Sequence, residues 1–239
     1  MLNAHEQLRA VILRYTPTML DVVSPASPPE ISRLAAAAGA LPESYRDFLG
    51  WMGNTCPFLD AEELAYSPQD LCELVYDEPG LTVPDGFIWI GIDQSGAEFN
   101  VFIRRTDDAV VRAGYYRGVK LDKLLIENTS IASFLLTSYV RKTLAPSHPL
   151  HFSAAFQGDE QRTGELWSRV HEACSHFEIP YRVDYPDSRL YGGNEFVIGV
   201  HQRPTSSVVN LHFGAVERAQ YEVWYDLVYA RWRLLNMPA

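Results

Sequence analysis

A chain of 239 residues, 47% of them hydrophobic, is long enough to bury one large core or two small ones. Its formal net charge of −10 argues against a phosphate backbone as a direct ligand. No apolar run approaches the roughly 20 residues that span a bilayer, and Met1 to Gln7 lacks the basic and apolar regions of a secretory signal, so a cytoplasmic protein is expected.

Residues 2–20 open as an amphipathic helix with Leu8, Val11, Ile12 and Tyr15 at helical spacing, broken near Thr16-Pro17. Residues 21–29 read as a linker. A second helix over 28–39 is opened by prolines and closed by Gly39. In Leu41-Pro42-Glu43-Ser44-Tyr45-Arg46-Asp47-Phe48-Leu49, Pro42 suits a first helical turn and Glu43 meets the positive helix end. Leu41, Tyr45, Phe48 and Leu49 then share one buried face, and Gly50 to Asn54 forms the exit. Residues 55–86 read as loops plus a short helix from Pro68 to Val75, with Ser67 as N-cap and Asp70 as its partner. Strands are predicted over 87–93, 98–103 and 109–116, with Gln94 to Ala97 as the first turn. A helix over 128–143 closes this half.

The order of these elements resembles the SUKH superfamily of SMI/KNR-type domains. The resemblance is carried by the LPxxYxxFL helix, the strand Phe87-Ile88-Trp89-Ile90-Gly91-Ile92-Asp93, the returning strand 98–103, and Ala132-Ser133-Phe134-Leu135-Leu136, similar to the family's "SFxxFL" helix. It covers roughly residues 25–142. Gln94 and Ala97 depart from the small or acidic residues more usual in that turn, and Ala35 to Ala38 replaces a Glu-containing helix. The resemblance implies an α+β fold, a SUKH-like sheet with flanking helices, in a domain over 1–143.

Thr143-Leu144-Ala145-Pro146-Ser147-His148-Pro149 reads as a boundary, with 144–149 as linker. Residues 150–239 then predict a second small α+β domain of no recognised family, an antiparallel or mixed sheet with two helices. Its order is β-α-β-β-β-α: a strand at 151–156, a helix over 159–177, strands at 181–185, 195–201 and 207–213, and a helix over 216–235. Tyr221, Tyr225, Tyr229 and Trp232 form a second apolar stripe on that last helix. Packing against the first domain or a homodimer contact would each account for it.

Nothing in the sequence announces catalysis. Ser95 lacks a nucleophile elbow, and Tyr191-Gly192-Gly193-Asn194 precedes a strand, so it reads as a turn without a phosphate-cradling helix. Cys56, Cys72 and Cys174 are a scattered, odd set, read as reduced buried thiols. Six of seven histidines follow residue 147. However, His171 and His176 point to different sides of a helix, and His201 and His212 are expected about seven residues out of register on paired strands. No metal, cofactor or enzymatic activity is expected on this basis. An enzyme would instead need a pocket joining His201 or His212 to a carboxylate.

The charge distribution is more informative. From Asp47 through Ile103 there is no Lys or Arg, while carboxylates recur throughout. A face of one sign attracts partners of the other and speeds encounter. SUKH proteins are commonly bacterial immunity proteins that neutralise toxins, so the resemblance implies a non-catalytic partner for a basic, possibly nuclease, toxin domain. The expected contact residues are Asp60, Glu62, Glu63, Asp70, Glu73, Asp77 and Glu78, with Trp51 or Tyr66 as aromatic anchors. The alternative is an intracellular regulatory or scaffolding module that binds a cellular protein.

Overall fold

The computed structural model describes residues 4–95, 99–114, 122–157, 160–176, 180–204, 206 and 208–226. The chain divides into two compact units, Met1–Ser138 and Tyr139–Ala239, a boundary a few residues ahead of the expected one. Each carries a five-stranded antiparallel sheet, so the fold is α+β in both halves.

The first unit opens with α1 (Ala4–Tyr15), a 3-10 turn at Pro17–Asp21, α2 (Pro28–Ala38) and α3 (Glu43–Met52). Ser27 caps α2 through a capping box with Glu30, and Gly39 leaves the helix at φ +83°. Arg105 donates to the carbonyls of Ala38 and Ala40, occupying two acceptors at this helix end. The face expected on α3 is the one buried: Leu41, Tyr45, Phe48 and Leu49 all lie in the core, joined by Met52.

Two short helices follow, α4 (Pro57–Asp60) and α5 (Pro68–Leu71), with β1 (Leu64–Ala65) between them. Ser67 accepts the Asp70 N–H at 3.1 Å and its hydroxyl donates to the Asp70 carboxylate at 2.7 Å, as the capping pattern predicts. The helix then widens into a π turn at Cys72–Tyr76. This turn positions Tyr76, whose hydroxyl accepts the Trp89 N–H at 3.0 Å and donates to the Trp89 carbonyl at 3.3 Å. The pairing of the next two strands is irregular between Trp89 and Gly91, so Tyr76 occupies backbone groups beside that irregularity.

The sheet is a meander of β1, β2 (Phe87–Asp93), β3 (Phe99–Arg104), β4 (Val110–Gly114) and β5 (Asp122–Asn128). Residues 96–98 and 115–121 fall outside the described ones, so part of the predicted turn and Tyr115-Tyr116 are among them. β5 is a strand where none was expected, and α6 (Ile131–Tyr139) begins three residues later than the closing helix was placed. Asn128 Nδ2 donates to Ser133 Oγ at 3.0 Å, tying the strand end to the helix.

The second unit begins with a π turn at Val140–Leu144. The expected linker is a packed turn, with Leu144, Ala145 and His148 buried and His148 Nδ1 hydrogen-bonded to the Leu144 carbonyl at 2.9 Å. There follow β6 (Leu150–Gln157), α7 (Glu160–His176), β7 (Tyr181–Tyr185), β8 (Ser188–Gly192), β9 (Phe196–Gln202), β10 (Val208–Ala215) and α8 (Arg218–Trp224). The sheet runs β6-β10-β9-β8-β7. β8 is the strand missing from the expected order. Gly192, read as part of a turn, is its last residue, held at φ +135° where a Cβ would strike the Phe196 carbonyl.

One face of this sheet holds the core, with Leu166, Val170 and Cys174 of α7 and Trp224 of α8 packed on Tyr191, Ile198, Val200, Leu211 and Phe213. Tyr221 and Tyr225 pack on Phe152, at 5.7 Å between ring centroids in each case. The described part of the tyrosine stripe is thus used within its own unit. Tyr229 and Trp232 lie outside the described residues.

Candidate protein-binding surface

The seven acidic positions fall on α4, the turn after it, α5, the π turn and the two residues that follow it, and the fold treats them unequally. Glu63 and Glu73 are exposed. Glu63 holds φ 58°, a left-handed conformation set by the tight turn that delivers the chain into β1, and its carbonyl accepts the Gln94 N–H at 2.8 Å. Glu73 accepts a hydrogen bond from Gln69 Nε2, one helical turn back, at 3.1 Å. Asp77 is also exposed but pairs with Arg33 of α2 at 2.6 Å. Such a surface pair holds its charge loosely against water and salt.

Asp60, Asp70 and Glu78 are intermediate in role. Asp60 is exposed, yet its carboxylate accepts the Tyr66 hydroxyl at 2.9 Å. Asp70 is half-buried and engaged at the α5 cap, and Glu78 is half-buried.

Two expected contact residues are corrected by the structure. Glu62 has a side chain only 5% exposed and faces Arg112 of β4 at 3.6 Å. It balances an internal charge, because an unpaired buried carboxylate would be far costlier. Tyr66 is buried as well. Its hydroxyl accepts the Cys56 N–H and donates to Asp60, and burial raises its pKa well above that of an ordinary phenol. A ring held this way packs the core and offers no face to a partner. Trp51, on α3, is half-buried and remains available.

Arginines from outside the acidic block therefore complete the site, and sequence reading missed them. Arg112 gave a signal: a charge set in Val110-Val111-Arg112-Ala113, the middle of an apolar strand, needs a buried partner. Arg33 gave none.

The histidines also differ from expectation. In the β9–β10 pair His201 stands opposite Asn210 and His212 opposite Gly199, so the two imidazoles are diagonal neighbours on one face and not seven residues apart. Both are buried on the sheet face opposite the helices, and His212 Nδ1 shares a hydrogen bond with Ser153 Oγ at 2.8 Å. Burial, with the charges of Arg141 and His201 adding to it, lowers the His212 pKa to about 3. Among the described residues no three His, Cys, Asp or Glu side chains are grouped to hold a metal ion, and no helix is long and apolar enough to cross a membrane.

All three cysteines are free and buried, and burial raises each thiol's pKa. They are poor nucleophiles on that account. No family model matches the chain, and no curated protein is significantly similar to it.

Proposed function

We propose that this chain is a non-catalytic binding protein of SUKH type, acting in the cytoplasm as an immunity protein that occupies a basic protein partner, such as a nuclease toxin domain. The observation that carries the reading is the exposure of Asp60, Glu63, Glu73 and Asp77 within a stretch from Asp47 to Ile103 that has no Lys or Arg. Carboxylates in water-facing positions steer a basic groove toward them and stand where its phosphate ligand would otherwise sit. Trp51 is the aromatic residue suited to anchor such a contact. Free buried thiols support a reducing compartment.

The test is binding of the full chain to basic toxin domains encoded beside its gene, at low and high salt. Complex formation should be fast at low salt and slow sharply as salt rises. The double reversal Glu63→Lys/Glu73→Lys should weaken it by at least tenfold through the association rate. Glu62 is unsuitable for this purpose, because its reversal would place two cations together in the interior. Undiminished affinity in the double variant would discard the electrostatic docking face. Capture of a cellular protein with no toxin encoded nearby would replace it with the regulatory-module reading.

A further inference from the structure

A cleft of about 340 Å³ lies against α1 and α3 of the first unit, lined by His5, Glu6, Arg9, Arg46, Asp47, Gly50 and Trp51. Its arginines differ from most others described in that unit. Arg33, Arg104 and Arg112 each have a carboxylate partner, and Arg105 is bound to two backbone carbonyls. Arg9 and Arg46 are exposed and, among the described residues, make no ion pair, although Glu6 and Asp47 line the same cleft. A guanidinium presents a planar fork of donors suited to a carboxylate or phosphate.

Two further features point to an occupant. Both ring nitrogens of His5 are buried without a hydrogen-bond partner, a rare state for buried polar atoms. Burial lowers the pKa of this ring. The Asp47 carboxylate and a contact with the Ser44 backbone oppose that shift. A neutral imidazole offers one donor and one acceptor. Beside it, Trp51 supplies a half-buried indole able to stack on a flat group. At Gly50 an added Cβ would meet nothing within 4 Å, so this wall of the cleft is open space.

We propose that the cleft binds a small molecule joining an anionic group to a flat ring. Arg9 and Arg46 hold the anion, Trp51 stacks on the ring, and His5 hydrogen-bonds it. The volume lies at the low end of the range for small-molecule sites, about 300–1,000 Å³. It admits one such ligand, and the inference does not rest on the acidic face, with which it shares Trp51 alone.

The experiment uses the full chain with adenosine 5′-monophosphate and indole-3-acetate, which offer the same chemistry through phosphate and carboxylate respectively. Calorimetric titration should give a dissociation constant of about 1 mM or tighter for one of them. Arg9→Gln and Arg46→Gln should each weaken that binding about tenfold. Gly50→Leu, which fills the cleft from an exposed helix position, should abolish it while leaving the circular dichroism spectrum unchanged. Whichever probe binds identifies the anion. Absence of binding by both at about 10 mM, or binding that persists in Gly50→Leu and in both arginine variants, overturns the proposal.

Discussion

Glu62 and Arg112 face each other at 3.6 Å, and the same guanidinium lies 3.7 Å from Glu127 and 5.8 Å from the centre of the Phe134 ring. The three charged side chains are 5%, 18% and 10% exposed, so one cation serves two carboxylates in a largely dry setting. Removing the shared partner takes the Arg112 charge away from both acids at once. Arg112→Met should therefore destabilise the first unit by roughly 3 kcal/mol, read by urea denaturation. Glu62→Gln, which leaves the Arg112–Glu127 pair in place, should have a much smaller effect. Equal effects for the two variants would mean that the pairs act independently.

In the second unit, Gly199 of β9 lies under Val140 of the π turn, and a Cβ built on the glycine would sit 2.4 Å from Val140 Cγ1. No rotation of the glycine's own side chain can relieve a clash made by Cβ itself. Gly199→Ala should therefore destabilise by about 1–3 kcal/mol. Val140→Ala removes the obstructing methyl groups and should rescue most of that loss when the two are combined. A sum of the single effects, with no recovery in the double variant, would place the strain elsewhere.

What the sequence disclosed depended on whether local and tertiary forces agreed. The buried face of α3 was legible because Leu41, Tyr45, Phe48 and Leu49 follow helical spacing, and the Ser67–Asp70 cap because its donors and acceptors are neighbours in the chain. β5 was hidden because it reverses the usual pattern, burying Glu127 and Asn128 while leaving Leu125 38% exposed. Its polar residues are met by groups outside the strand, among them Arg112 on β4 and Ser133 and Thr137 on α6. The β9–β10 register escaped because the connection, not the strand composition, sets which residues face each other. Within the acidic face, the carboxylates were readable and their partition was not, since Arg33 and Arg112 arrive from elements far away in the chain.

Glu63 adopts φ 58°, a left-handed conformation that a side chain with a Cβ reaches only at a cost of about 1–2 kcal/mol. Glycine reaches it freely but loses more entropy on folding. The balance predicts that Glu63→Gly is neutral or stabilising by up to about 1 kcal/mol, an unusual result for replacing a helix-favouring residue with glycine. If the same carboxylate meets a basic partner, the stabilised variant should bind that partner more weakly. Thermal denaturation and a binding titration on one sample would separate the two effects. A lower melting temperature would show that the Glu63 side chain makes contacts that outweigh its backbone strain.

His212 links stability to pH. Its imidazole is buried beside His201, and its folded pKa of about 3 lies below the ordinary value near 6.5, chiefly through desolvation. Between those values the unfolded chain binds a proton that the folded chain refuses. The contribution is present in full above pH 6.5 and falls as pH drops toward 3, by about 1.4 kcal/mol per pH unit within the window. His5, whose pKa burial also lowers, acts with the same sign in the first unit. His212→Gln should therefore flatten the acid limb of the second unit's stability profile while costing some stability at neutral pH, where the bond to Ser153 is disturbed. Denaturation curves taken from pH 7 down to about pH 4.5 suffice, because carboxylate protonation dominates only below that range. An acid limb equally steep in His212→Gln would assign the proton uptake to another group.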